Sequence, residues 1–253
     1  MITTYTRDRL QAAADYLTLR GVLRGAGTLT LIWGVLATLA SFVPPQDPSA
    51  LGLGLLLIAA GIWNRIQVHP SGVLVNAGVF MLVGLYNIAG NLLGMSGTEA
   101  GFGFWARVGV FQIVWGVRTL AQYPRYARLV KERPAEPDQR WMEDSIREVS
   151  KGKPKESNDL IELITFPPNA RVWKARLHPE GVLLVSKSRD QVMVSARHHF
   201  QIAAGPAGKP GKPIPAMITV AGQPMKGAIK PEWLDRYRAW KGEAVEQRMP
   251  MAA

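Results

Sequence analysis

The polar side chains best placed to do chemistry in this chain lie within long apolar runs. Asn76, Asn87 and Asn91 interrupt one such run, and Arg107 and Arg118 interrupt the next. Asn76 and Asn87 are eleven residues apart, as are the two arginines, so each pair shares one face of an α-helix. Polar groups inside membrane spans often mark solute or ion paths. The spacing leaves two alternatives: a polar path between helices, or hydrogen bonds and an end-of-helix ion pair that only hold helices together.

Outside these runs, no residue pattern indicates catalysis. The chain has no cysteine, and neither a phosphate-binding glycine loop nor a nucleophile elbow is present. His198 and His199 are adjacent, and on a strand adjacent side chains face opposite ways, so we do not expect them to share a metal. The sequence therefore predicts a protein that is not an enzyme, with no catalytic residue, no cofactor and no metal site.

Four apolar runs dominate the first half of the chain, at about 25–43, 49–66, 72–94 and 102–122. Roughly 20 apolar residues are needed to cross a bilayer as a helix. These runs are apolar all round, whereas the helices of a soluble bundle carry polar faces. The first run begins late and lacks a signal-peptide cleavage site, so it is expected to remain as an anchor. We predict a four-helix transmembrane bundle over residues 25–122.

The distribution of lysine and arginine predicts the orientation of this bundle. Basic residues lie in the lead-in, in the link between the second and third runs, and in the exit from the fourth run. The other two links contain no lysine or arginine. This pattern places both termini in the cytoplasm, here of a bacterial inner membrane. Attraction to the anionic lipids of the inner leaflet explains much of the net charge of +11, so we expect no nucleic-acid partner. The predicted membrane-surface residues of the exit are Arg125, Arg128, Lys131 and Arg133.

Small residues spaced four apart predict where helices pack. Gly21 and Gly25 form one GxxxG pair, and Gly90 and Gly94 form another. Glycine lets helix backbones approach closely where lipid is the solvent. These four glycines are the predicted packing residues.

Two amphipathic segments flank the bundle. Residues 1–24 are predicted to form a cytosolic or interfacial helix, and we favour a position on the inner leaflet over direct continuation into the first span. Residues 123–158 contain the basic exit, a short helix at about 138–150 and a linker. The apolar face of that short helix is expected to dock on the following domain through Trp141, Met142, Ile146 and Val149.

Residues 159–253 change to the two-residue periodicity of half-buried strands, with turns between short runs. We predict six or seven antiparallel strands that form a small cytosolic β-domain, a sandwich or barrel. Pro231 then opens a final helix, in keeping with its preference for the first helical turn. This order of elements resembles the pleckstrin-homology-like domains that follow membrane spans in some bacterial proteins. The resemblance implies a fold and no particular function.

Two functions follow as expectations. The first is a non-catalytic accessory or scaffold subunit of a membrane complex, whose β-domain binds a protein partner, a second copy of the chain or the membrane surface. The alternative is a small channel or transporter that uses the polar stripe between the third and fourth spans. That alternative requires the stripe to converge on a wettable cavity, although no Asp, Glu, Lys or His lies in the middle of a span.

Overall fold

The computed structural model describes residues 4–42, 48–93, 103–168, 170–206 and 212–242 of the 253-residue chain. They belong to two compact units. The helical unit is Leu19–Arg133, and the sheet unit combines Met1–Thr18 with Pro134–Ala253. Each unit is described separately below.

Helices account for nearly all the described residues of the helical unit. Their bounds are α1 Thr4–Ala40, whose first turns belong to the sheet unit, α2 Pro48–Ile66, α3 Pro70–Leu92, α4 Phe104–Ala121 and α5 Tyr123–Lys131. Only three residues separate α2 from α3, and Pro70 begins α3 with His69 as its N-cap. A link this short makes α2 and α3 antiparallel neighbours.

Three helices of the described chain are long and apolar enough to cross a membrane: Thr6–Ala40, Ser49–Ile66 and Pro70–Leu92. This confirms the prediction of membrane-compatible helices for three of the four apolar runs. The fourth, α4, falls outside that set because its 18 residues include Arg107, Gln112 and Arg118. The count of four spans therefore stays a prediction.

The sheet unit contains one antiparallel sheet of seven strands, as the two-residue periodicity predicted. The elements are α6 Glu136–Lys151, β1 Leu160–Thr165, β2 Arg171–His178, β3 Gly181–Ser186, β4 Val192–Ala196, β5 Phe200–Ala204, β6 Ile214–Val220, β7 Gln223–Ile229 and α7 Pro231–Lys241. The strand order is β4-β3-β2-β1-β7-β6-β5, so the first and last strands pair with each other and β4 and β5 are the edges.

The two faces of the sheet bury different layers. On the inner face, Trp173 and Leu177 of β2 pack in one core with Trp233, Leu234 and Tyr237 of α7. Lys174 and Arg176 of β2 point the other way, toward α6, because side chains alternate along a strand. Strand β3 is buried at every position, which explains its uninterrupted apolar sequence GVLLVS.

The outer face of the sheet is covered by the first turns of α1 and by α6. Met142 and Val149 of α6 and Leu10, Ala13 and Ala14 of α1 form this second core with residues of β3 and β4. We expected the apolar stripe of residues 1–24 to lie on lipid. In the structure that stripe packs against the sheet, and the segment continues as one helix to Ala40.

Candidate functional site

The asparagine stripe pairs with α4. Asn87 Nδ2 donates to Gln112 Oε1 at 2.8 Å, and the Gly103 N–H at the start of α4 donates to Asn91 Oδ1 at 2.8 Å. Asn91 therefore accepts a hydrogen bond from a backbone N–H at a helix N-terminus, where such groups lack partners within the helix. These bonds match the predicted alternative in which the stripe holds helices together.

Asn76 lies in a different environment from the other two asparagines. Its side chain is 2% exposed, and its Oδ1 has no hydrogen-bond partner in the described chain. Asn64 of α2 is buried too and donates from Nδ2 to the Leu23 carbonyl of α1 at 2.9 Å, while its Oδ1, like that of Asn76, has no hydrogen-bond partner in the described chain. Sequence analysis missed Asn64 because it lies near the end of an apolar run, where an asparagine also suits a helix terminus.

The two arginines of the stripe are exposed and do not join the asparagines. Arg107 lies on an exposed position of the first turn of α4. Arg118 is also exposed, and its guanidinium lies over the ring of Trp115 at 5.6 Å from the centroid, a cation–π contact. The described stripe therefore divides into amides that are buried or half-buried and cations that are exposed.

The close helix approaches use glycines other than the predicted ones. A Cβ atom at Gly21, Gly25 or Gly90 would meet no atom within 4 Å, and Gly94 lies outside the described residues. In contrast, a Cβ at certain other glycines would collide with a neighbouring helix. The α1–α2 approach uses Gly27, Gly34, Gly54 and Gly61, and the α3–α4 approach uses Gly84, Gly109 and Gly116.

A spacing of seven residues marks most of these contact glycines. Gly27 and Gly34 are seven apart, as are Gly54 and Gly61. Seven residues correspond to two helical turns, so such residues share a face along a helix pair that crosses at a shallow angle. The seven-residue spacing was the available sequence signal. The four-residue spacing selected Gly21 and Gly25, which are exposed, and Gly90, which is buried but where a Cβ would meet no atom within 4 Å.

The predicted basic exit forms the amphipathic helix α5. Tyr126 and Leu129 are buried on one side, and the Tyr126 hydroxyl donates to the Val68 carbonyl at 2.7 Å. The basic residues occupy exposed positions on α5 and just after it: Arg125, Arg128, Lys131 and Arg133. Their contact with lipid stays a prediction.

A cleft of about 650 Å³ lies in the sheet unit, bounded by α1, α6 and strands β2 to β4. This volume is within the usual range of about 300–1,000 Å³ for ligand sites. Buried apolar residues that include Leu10, Leu183 and Val194 form part of its lining. Trp141 of α6, 49% exposed, also lines the cleft. We expected Trp141 to dock with Met142, but neighbouring helical residues point about 100° apart.

Charged side chains from three elements complete the cleft. Arg176 of β2 donates from Nε to Asp159 Oδ2 at 2.9 Å and from a terminal nitrogen to Glu148 of α6. Glu180 and His178 also line the cleft, at the turn between β2 and β3. The lining therefore holds three carboxylates and one guanidinium.

Hydrogen bonds in the cleft favour the ionised forms of Asp159 and Arg176. Burial alone would raise the pKa of Asp159, but hydrogen bonds from Ser157 and Arg176 hold this pKa below its ordinary value. Hydrogen bonds to Asp159 and Glu148 raise the pKa of Arg176 further above neutrality. Both shifts move the groups away from the pKa near 7 that suits a general acid or base.

Side chains from helices cap both edges of the sheet. At the β4 edge, Gln11 Nε2 donates to the Val192 carbonyl at 3.0 Å, and the Val194 N–H donates to Gln11 Oε1 at 2.8 Å. At the β5 edge, the Ile202 N–H donates to the Tyr237 hydroxyl at 3.1 Å. Capping of this kind protects a sheet against edge-to-edge pairing. No sequence signal marked Gln11, whose partner lies more than 180 positions away.

One end of the sheet carries an exposed aromatic ring among cations. Phe166, 45% exposed, follows β1, and its N–H donates to the Lys226 carbonyl at 2.9 Å. Lys187 and Arg189 are exposed in the β3–β4 turn at the same end, where the Lys187 N–H donates to the Val172 carbonyl at 2.8 Å.

Asp190 fixes the β3–β4 turn. Burial alone would raise the pKa of this carboxyl, but hydrogen bonds from Ser188, Arg171 and Ser186 lower it to about 2. Ser186 Oγ donates to Asp190 Oδ1 at 2.8 Å, and Arg171 forms an ion pair with the same carboxylate. These contacts are all local to the turn and have a structural role.

The two adjacent histidines do not lie on a strand. Arg197–His199 forms a one-turn 3-10 helix between β4 and β5, so the expected strand alternation does not apply. The His198 and His199 rings are both exposed, with their centroids 4.0 Å apart. In the described chain no group of three or more His, Cys, Asp or Glu side chains could hold a metal ion.

No family model and no curated protein matches the chain. Comparison with solved structures gives a similarity to autoinhibited Vav1, at 10% sequence identity and a TM-score of 0.25, over 98% of this chain. The chain spans 59% of the length of that protein's chain. A TM-score this low carries no argument about fold or function.

Proposed function

We propose that this chain is a non-catalytic, multi-pass protein of a bacterial inner membrane, with four spans and both termini in the cytoplasm. The three long apolar helices support insertion into a membrane. The clustering of arginine and lysine at the lead-in and at the exit from α4 supports the orientation. As the fourth span, α4 would keep Arg118 near the cytoplasmic surface, where a long basic side chain can reach the headgroups.

For the sheet unit we propose a pleckstrin-homology-like fold. The support is the strand order. Strands β1 to β4 and β5 to β7 form two meanders that are joined by the pairing of β1 with β7, and β4 and β5 are the edges. The chain then continues into a helix that packs on the inner core. A fold of this kind hosts many functions, so it does not by itself choose one.

The sheet unit, in our proposal, binds another protein, and the chain acts as an accessory or scaffold subunit of a membrane complex. The cleft carries this proposal. It is large enough for a ligand, yet Arg176 forms ion pairs with Asp159 and Glu148, and the pKa values of Asp159 and Arg176 are displaced away from neutrality. Such a site can recognise a partner but offers no acid, base or nucleophile poised for reaction.

Contact with the membrane surface is a second candidate role for the sheet unit. The end that carries Phe166 favours it, because an exposed aromatic ring at the same end of the sheet as Lys187 and Arg189 combines insertion into the headgroup region with attraction to anionic lipid.

The channel or transporter alternative has less support. It requires the stripe residues to converge, but Asn87 and Asn91 bond to α4 and the two arginines are exposed. Asn76, with its buried unpaired oxygen, is the remaining feature in its favour.

Extraction of the tagged full-length chain from native membranes in mild detergent, with sizing and mass spectrometry, tests the main proposal. We expect one other protein to co-purify in a fixed ratio. A solitary monomer, or an assembly of this chain alone, would overturn the accessory role and direct attention to flux assays.

A further inference from the structure

We propose that the cleft of the sheet unit receives a segment of the partner protein that carries lysine or arginine between apolar side chains. This inference rests on the proposed function, since it names the chemistry of the partner that the cleft would bind. It commits to a protein segment as the occupant.

The charge of the lining is the first argument. Glu148, Asp159 and Glu180 line the cleft, and Arg176 is the one cation whose charge is permanent among the lining residues. Arg176 bonds to both Glu148 and Asp159, and one guanidinium cannot neutralise two carboxylates, so this group of three keeps an excess of negative charge. In a chain with a net charge of +11, this local excess of acid stands out, and an additional cation in the cleft would reduce it.

The ionisation of the carboxylates is the second argument. Asp159 accepts hydrogen bonds from Arg176 and Ser157, which favour the charged form of the carboxyl. These hydrogen bonds therefore favour the carboxylate form of Asp159.

The apolar part of the lining is the third argument. Leu10, Leu183 and Val194 form a buried apolar wall, and the half-exposed ring of Trp141 borders the same space. A bare inorganic cation would leave this surface uncovered. A segment with apolar side chains covers it, and an aromatic ring beside the cleft can additionally attract a nearby cation.

Edge pairing does not provide an alternative mode of binding for such a segment. Gln11 already bonds to the backbone of β4 beside the cleft, and Tyr237 bonds to β5. An extended peptide therefore has to be recognised by side chains of the cleft, where charge and shape decide affinity.

A binding measurement on the full-length chain in non-ionic detergent tests the inference. The probe is a fluorescein-labelled octapeptide of alternating leucine and lysine, with leucine–glutamate and leucine–glutamine octapeptides for comparison. Fluorescence anisotropy should show the lysine peptide binding at least tenfold more tightly than either of the others, and more weakly as salt is raised.

Two variants place the binding in the cleft. Glu180→Lys reverses a rim charge, and Ser145→Lys introduces a cation into the lining; each should weaken binding of the lysine peptide about tenfold. Glu143→Lys makes the same change in charge as Glu180→Lys, at an exposed position of α6 outside the lining. It should leave binding of the lysine peptide unchanged.

Equal binding of the three peptides, or equal effects of all three variants, would overturn the inference. The proposed function is judged separately, by co-purification of a native partner. If a partner co-purifies while the lysine peptide shows no preference, the accessory role stands and only the cationic chemistry of the partner falls.

Discussion

The helical unit and the sheet unit solve the same problem, the pairing of backbone polar groups, in different ways. In the helical unit each helix satisfies its own backbone, so helices can approach until glycines touch the neighbouring backbone, as Gly84 and Gly109 do. In the sheet unit two strands have an unpaired edge, and side chains of α1 and α7 cap them. Close packing of helices therefore holds the helical unit together, whereas in the sheet unit specific side-chain hydrogen bonds cap the edges of the sheet.

Gly109→Ala gives the largest expected effect on this comparison. The added methyl group would collide with the Gly84 carbonyl oxygen on α3, and overpacking of this kind costs about 1–3 kcal/mol. We expect the thermal midpoint of the detergent-solubilised chain to fall by about 3–10 °C. Gly78→Ala is the control, since its methyl group meets nothing within 4 Å. Equal midpoints for both variants would break the account of glycine packing.

Gln11→Ala tests the capped edge of the sheet. Loss of the Gln11 amide leaves the Val192 carbonyl and the Val194 N–H without their partner, at a cost of about 1–3 kcal/mol. Hydrogen–deuterium exchange of the β4 peptide should accelerate. Asp8→Ala, at an exposed position earlier in α1, should leave that exchange unchanged. Unaltered β4 exchange in Gln11→Ala would mean that the amide is not a cap.

A double-mutant cycle on Asn87 and Gln112 sharpens the distinction between shape and hydrogen bonding in the helical unit. Their single hydrogen bond should give a coupling energy of about 0.6 kcal/mol, at most about 1.7. Asn87→Leu, Gln112→Leu and the double variant are compared by unfolding in mixed micelles. A coupling well above that range would show that hydrogen bonds rival shape in this unit.

Asp190→Asn gives a small expected effect that depends on pH. The folded pKa of about 2 lies below the ordinary value of 3.8, so the stabilisation is complete above pH ~5 and is lost as pH falls toward 2. Because the side chain is about one-third exposed, we expect less than about 1 kcal/mol. Thermal midpoints of the variant and the wild type should differ at pH 6 and converge near pH 2. A constant difference across that range would assign the effect to something other than this carboxylate.

Periodicity predicted the elements of both units well. Continuous apolar runs predicted the long helices, and alternation predicted the antiparallel sheet with its closing helix. These signals are local, because a helix or a half-buried strand repeats its environment every few residues. The alternation in β2 even separates Trp173 from Arg176, which face opposite layers.

The residues of the candidate site depend on contacts that periodicity does not encode. Arg176 meets Glu148 across 28 positions, and Gln11 meets β4 across more than 180. The stripe of α1 was recognised as apolar, but its sequence is equally suited to lipid and to a sheet. The histidine pair was misjudged for a local reason, since one 3-10 turn replaced the assumed strand.

Photo-crosslinking in native membranes tests most directly the central claim that the cleft is where a partner protein binds. A benzophenone amino acid is placed at position 145, which lines the cleft, or at the exposed position 143 of the same helix. The account predicts a discrete adduct with another polypeptide from position 145 and none from position 143. Adducts of equal yield from both positions, or from neither, would contradict it.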